Sequence, residues 1–176
     1  PLARGTSLGI HESQSRMMEN IVGRSLGFWQ AHFPQLQATF PGQLGQHSAE
    51  DFYRAINRVQ TSFIRVEADE LTYNFHIILR FELEQALMNG DLAARDMPAA
   101  WNGKMEELLG VVPPNDSEGC LQDVHWSRPM FGYFPTYALG NLYAAQFFET
   151  AVAQNPVIEE ELAQGNTDAL LVWLRE

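Results

Sequence analysis

Apolar positions recur at three- and four-residue spacing almost throughout this chain, and that spacing predicts helices. Ile10, Met17, Ile21, Phe28 and Phe33 form one broad stripe, so a first helix is expected from about Ile10 to Phe33, stopped by Pro34. Phe40 to His47 contains Pro41, Gly42 and Gly45 and reads as a loop. Ser48 with Asp51 is a variant capping box, opening a helix to about Gln60. Asp69 and Glu70 suit the positive end of a helix over Asp69 to Met88, and Asn89-Gly90 suit its end. Pro98 opens and Gly110 closes the next, over Pro98 to Leu109. Val111 to Gly119 is a loop around Pro113-Pro114, and Cys120 to Tyr133 is the least regular stretch. Phe134 to Gln154 carries Leu139, Leu142, Tyr143, Phe147 and Phe148 on nearly every side, so it is expected to be a buried helix. Pro156 to Gln164 and Thr167 to Leu174 are short closing helices, and only Phe63 to Val66 offers a short strand. The expected fold class is all-α, with residues 1–176 forming a single helical unit.

Composition narrows the function. Hydrophobic residues make up 45% of the 176, enough to bury a core. A formal charge of −11 excludes the basic footprint that nucleic acids need. The single cysteine, Cys120, allows no internal disulfide and no thiolate zinc cluster, which reads as an intracellular or redox-indifferent chain. No apolar run reaches membrane-spanning length, and Pro1 to Ile10 lacks the pattern of a signal peptide. The chain does not begin with Met.

Three constellations carry candidate chemistry. His11-Glu12-Ser13-Gln14 puts a carboxylate on a helix face, where Glu12 can meet Arg16 one turn on. Ile64-Arg65-Val66-Glu67-Ala68-Asp69 leads into a helix whose Tyr73, His76 and Arg80 share one face. The bland reading of that polar face is an ion-pair network inside a core. Gly119 to Trp126 groups Gln122, Asp123, His125 and Trp126, with Tyr133 and Tyr137 shortly after. A histidine and tyrosines on such a loop can donate to a developing oxyanion, or be interfacial aromatics with satisfied polar tips. The five histidines are never four apart, so HExxH is absent, as are phosphate loops, GxSxG and dinucleotide fingerprints.

Taken in order, HESQ (His11 to Gln14), IRVEAD (Ile64 to Asp69) and GCLQDVHW (Gly119 to Trp126) resemble the motifs of the carboxypeptidase Taq family. These are thermostable zinc carboxypeptidases of bacteria and archaea, with some protozoan members. The YNFHIILRFELE and GYFPTYALGNLYAAQFF stretches look similar as well, so the resemblance spans essentially the whole chain.

The family's earlier motifs, HPF, DxRxT and HExxH, do not occur here. The resemblance therefore implies the C-terminal part of a peptidase catalytic domain, starting just downstream of HExxH and inactive alone. The missing segment would bring two zinc-binding histidines and the glutamate that activates water. Glu12 would be the third ligand of a zinc ion, with cobalt as the other candidate metal. His125 and Tyr133 would stabilise the oxyanion, with Tyr133 preferred to Tyr137. Arg65 and then Arg80 are the candidates to grip the free C-terminal carboxylate of a peptide, with Tyr137 beside them in substrate binding. His11 and Gln14 would orient Glu12, and Asp123 would orient His125. A homodimer in the cytoplasm, releasing single C-terminal residues, completes the expectation. The alternative is a non-catalytic helical interaction module.

Overall fold

The computed structural model describes residues 5–175, and among them there is no strand. The all-α expectation holds. The reading of the N-terminus rests partly on residues 1–4, outside the described residues. Two compact units are present. One holds the chain up to Arg58 and from Leu139 onward; the other is Val59–Ala138.

In the first unit the expected opening helix is two helices. α1 (Leu8–Arg16) runs into a π-helical turn, Met17–Val22, and α2 (Leu26–Thr39) begins after Gly23. The break is local chemistry. Ser25 caps α2, its hydroxyl accepting from the Phe28 amide at 3.2 Å. The freed carbonyls find side-chain donors: Trp29 Nε1 reaches Gly23 O at 2.7 Å, and Asn57 Nδ2 reaches Arg24 O at 2.9 Å. Pro34 does not stop the helix; it lies inside α2. Its missing N–H leaves the carbonyl of Gln30 unpaired within the helix, and Gln30 is at an exposed position.

The expected loop after Phe40 contains one helical turn, α3 (Pro41–Leu44). The Ser48–Asp51 capping box forms, and α4 (Ala49–Ile56) follows it. The core of this unit joins Met17 and Val22 to Ala144, Ala151, Ile158, Leu162 and Leu170. The last five come from α7 (Pro135–Gln154), α8 (Val157–Ala163) and α9 (Asp168–Trp173). α1 crosses α7 at Gly140, where a Cβ would stand 2.8 Å from Glu12 Cγ. α7 is not buried all round as its sequence suggests: Leu139 and Leu142 are exposed, because the buried face is built of the small Ala144 and Ala151.

The second unit is organised by α5 (Glu70–Asn89) and α6 (Met97–Leu109). Asp69 caps α5 through the amides of Leu71 and Thr72, and Gly90 ends it at φ 81°. Leu79 and Leu83 pack with Met97, Trp101, Met105 and Leu109. Phe63 to Val66 is no strand; the chain makes one 3-10 turn there, Arg65–Glu67. Beside the apolar face of Leu79 and Leu83, α5 carries a buried polar ladder. Thr72, His76, Arg80 and Glu84, four residues apart, are buried, while Leu71, Phe75, Ile78 and Phe81 are exposed.

Candidate functional site

In the second unit the IRVEAD turn, α5 and the irregular loop after Gly119 meet around one carboxylate. Asp123 sits between two arginines. Its Oδ1 accepts from Arg65 Nε at 3.1 Å and Nη2 at 2.7 Å, and its Oδ2 from Arg80 Nε at 2.6 Å. Burial alone would raise the Asp123 carboxyl, but the Arg80 charge and the Arg65 hydrogen bonds outweigh it and hold the group below its ordinary range.

Gln122, the neighbouring residue, was not among the expected site residues. Its Oε1 accepts from the Arg65 amide (2.9 Å) and Arg80 Nη2 (2.7 Å), and its Nε2 faces the carbonyls of Phe63, Glu118 and Gly119. The motif contains Gln122, but its bonds to both arginines depend on a turn and a helix distant in sequence.

Arg65 is 5% exposed and also donates to the Tyr73 hydroxyl at 2.8 Å, with its guanidinium 4.8 Å from the Tyr137 ring centre. Those bonds engage three of its five N–H groups, leaving two. Arg80 is 0% exposed and stacks over Trp101 at 4.6 Å, with Nη1 donating to the His76 carbonyl. It was expected to bind substrate. Its guanidinium is fully buried, with Asp123, Gln122 and the His76 carbonyl each accepting from one of its three nitrogens.

His125 lies beside this cluster. Its Nε2 is 3.1 Å from the Tyr137 hydroxyl. Its Nδ1 is 3.8 Å from Asp123 Oδ1, beyond hydrogen-bond reach, and has no partner among the described residues. Asp123 is therefore not the hydrogen-bonding orienter expected for His125; the arginines hold it. Burial, the largest cause, lowers the His125 pKa, and the Arg65 and Arg80 charges push the same way against Asp123. Tyr133 sits with its ring 5.4 Å from His125 and 5.3 Å from Tyr137, and no described residue bonds its hydroxyl. Of the two tyrosines, Tyr137 is the one that touches the His125 nitrogen.

Glu12 belongs to the first unit, and the remaining expected residues other than His11 and Gln14 belong to the second. The expected Glu12–Arg16 contact does not form. Arg16 donates to Asn141 at 2.6 Å and pairs with Glu19 at 3.0 Å. No hydrogen bond or ion pair from a described residue reaches the Glu12 carboxylate. His11 is exposed, and Gln14 donates to Ser13 at 3.2 Å, so neither braces Glu12. Gln14 instead lines a cavity of about 440 Å³ with Ile10, Phe147, Gln154, Trp173 and Leu174.

A half-buried, unpaired carboxylate fits one oxygen position of a metal site. Among the described residues no three His, Cys, Asp or Glu side chains gather to hold a metal ion.

The motifs and this all-helical architecture point to one family, and comparison with known proteins identifies it. The model of the Carboxypeptidase Taq (M32) metallopeptidase family matches residues 1–176, and the chain belongs to that family. It is 53% identical over 175 residues to Thermostable carboxypeptidase 1 of Thermus thermophilus, covering 99% of this chain and 34% of that protein. Carboxypeptidase 1 of Bacillus subtilis is 46% identical over 175 residues, with 99% and 35% covered. The crystal structure of the M32 carboxypeptidase from Deinococcus radiodurans superposes with a TM-score of 0.92 at 49% identity, over 99% of this chain and 35% of that one. The chain therefore spans about a third of the length of the relatives it matches. No helix among the described residues is long and apolar enough to cross a membrane.

Proposed function

We propose that this chain is the C-terminal part of the catalytic domain of a zinc-dependent metallocarboxypeptidase that releases single C-terminal residues from peptides. The observation that carries the reading is the cluster in the second unit. Residues of two separate motifs, Arg65 and Gln122-Asp123, fold into one hydrogen-bonded knot beside His125, whose Nδ1 stays free.

In this reading Glu12 is one metal ligand and the other ligands lie outside the chain, so the chain alone is inactive. Bound zinc, or cobalt as the alternative, supplies a polarising cation and a water of lowered pKa. The chain's own residues act on charge and position. His125 and the Tyr133 hydroxyl are the donors for a developing oxyanion in this reading, their rings 5.4 Å apart. Burial favours the neutral form of His125, whose Nε2 shares a hydrogen bond with the Tyr137 hydroxyl. The two uncommitted N–H groups of Arg65 suit the substrate's carboxylate. Arg80 acts through Asp123 and Gln122. Tyr137 contributes to the substrate wall, and His11 and Gln14 stay near Glu12 without bonding it. The same reading makes the protein a cytoplasmic homodimer.

Zinc per chain, measured with release of the terminal residue from a blocked dipeptide, tests it. We expect neither for this chain alone. Both are expected after mixing with a polypeptide carrying the HExxH part of a relative, and Glu12→Gln should abolish them. Stoichiometric zinc with turnover by the chain alone would overturn the assignment of Glu12. The second reading, a non-catalytic interaction module, is favoured by the exposed apolar face of α5. Binding of the HExxH part with no zinc and no turnover would select it.

A further inference from the structure

We propose that Glu84 is a positioning residue that holds Tyr133 against His125. Nothing in the motifs singles it out. It lies one helical turn beyond Arg80 on the buried polar ladder of α5, 4% exposed. Its Oε1 accepts from the backbone amide of Gly132, the residue before Tyr133, and its Oε2 has no partner. Among the described residues no ion pair reaches it, and Lys104 pairs with Glu82 and Glu107. A buried carboxyl group with an unpartnered oxygen is a poor way to fill a core, since an apolar side chain of that size carries no desolvation cost.

What Glu84 does hold is a turn that needs holding. The segment from Pro129 to Phe134 has no regular structure, and Pro129 and Gly132 both have positive φ, 21° and 78°. Its other backbone bonds are local: Met130 N to His125 O and Thr136 N to Tyr133 O, both 2.9 Å. Glu84 is a group distant in sequence that fixes its backbone by a hydrogen bond. α5 thus anchors both ends of the loop. Arg80 holds Asp123 and Gln122 at the start, and Glu84 holds Gly132 at the end. His125 lies between the anchors and Tyr133 directly after the second, with their rings 5.4 Å apart.

The inference rests on the role given to those two residues, but its test does not use peptidase activity. Solution NMR of the whole chain reads it directly. In the wild-type protein the Gly132 amide should be protected from hydrogen exchange, and contacts between the His125 and Tyr133 rings should be observed. Glu84→Gln keeps the acceptor and should keep both signals. Glu84→Met keeps the volume, removes the acceptor, and should lose both while the core resonances of Leu79 and Met105 persist. Glu82→Ala, at a half-buried position of the same helix where the carboxylate pairs with Lys104, should leave both signals unchanged. Retained ring contacts in folded Glu84→Met overturn the proposal. If Glu84→Met does not fold, the wild-type amide decides: an unprotected Gly132 amide in the folded chain overturns it, and protection there and in Glu84→Gln supports it. Loss of activity in a complete enzyme with these signals intact would fault the catalytic reading and leave this one standing.

Discussion

Two guanidinium groups that water hardly reaches share the single carboxylate of Asp123. Replacing it by Asn strips both buried charges of their counter-charge, so Asp123→Asn should cost about 3–5 kcal/mol of folding stability, read from urea unfolding. The pH dependence follows from the same pair. The folded carboxyl titrates below its ordinary value of 3.8. Its stabilisation is complete above that value and is lost as pH falls through the folded one. His76 acts at higher pH. It is wholly buried, neither ring nitrogen has a partner, and burial, helped by the Arg80 and Arg65 charges, pushes it from 6.5 down to about 4. The unfolded chain takes up that proton near 6.5 and the folded chain only near 4, so stability is full above 6.5 and falls between 6.5 and 4. The loss should total roughly 3 kcal/mol. His76→Leu should remove most of that slope, leaving the smaller one of His125, which has the same sign. Urea midpoints between pH 4 and 7 measure it.

At the scale of elements, the sequence announced most of the fold. The Ser48–Asp51 box, the Asp69 cap and the glycine ends at Gly90 and Gly110 lie where their local chemistry requires, because caps act within one turn. The break at Gly23 and the passage of α2 through Pro34 were not legible. Both depend on Trp29, Asn57 and solvent satisfying freed carbonyls, which is tertiary information. The site divides the same way. Tyr73, His76 and Arg80 on one face of α5 could be read from spacing, whereas Gln122 and Glu84 earn their roles from loops distant in sequence. The α1–α7 crossing supplies this scale's prediction. A methyl group at Gly140 would meet Glu12 Cγ at 2.8 Å, Cβ at 3.0 Å and the backbone carbon at 3.3 Å, so α1 itself must shift. Gly140→Ala should therefore lose about 1–3 kcal/mol to overpacking, more than its helix propensity returns. A urea midpoint above that of the wild type would mean that α1 is not held at this distance.

For the whole molecule, α5 poses the sharpest question, because it buries Arg80 and Glu84 while one of its apolar faces is exposed. Leu71, Phe75 and Ile78 lie within one arc of the helix surface, and Phe81 extends it. A face of this kind in water marks an interaction surface or an aggregation liability. The family relation suggests the interaction: about two thirds of each relative's length has no counterpart in this chain. The chain alone should then associate, and sedimentation velocity should give a sedimentation coefficient that rises with concentration. Phe75→Lys with Ile78→Lys should abolish the rise. It should leave the urea midpoint within about 1 kcal/mol of the wild type, since neither side chain belongs to the buried clusters. The direction of the stability change separates two explanations of the face. If the double variant unfolds, these residues support the unit from within; if it stays folded and monomeric, α5 is the surface on which a complete enzyme is assembled.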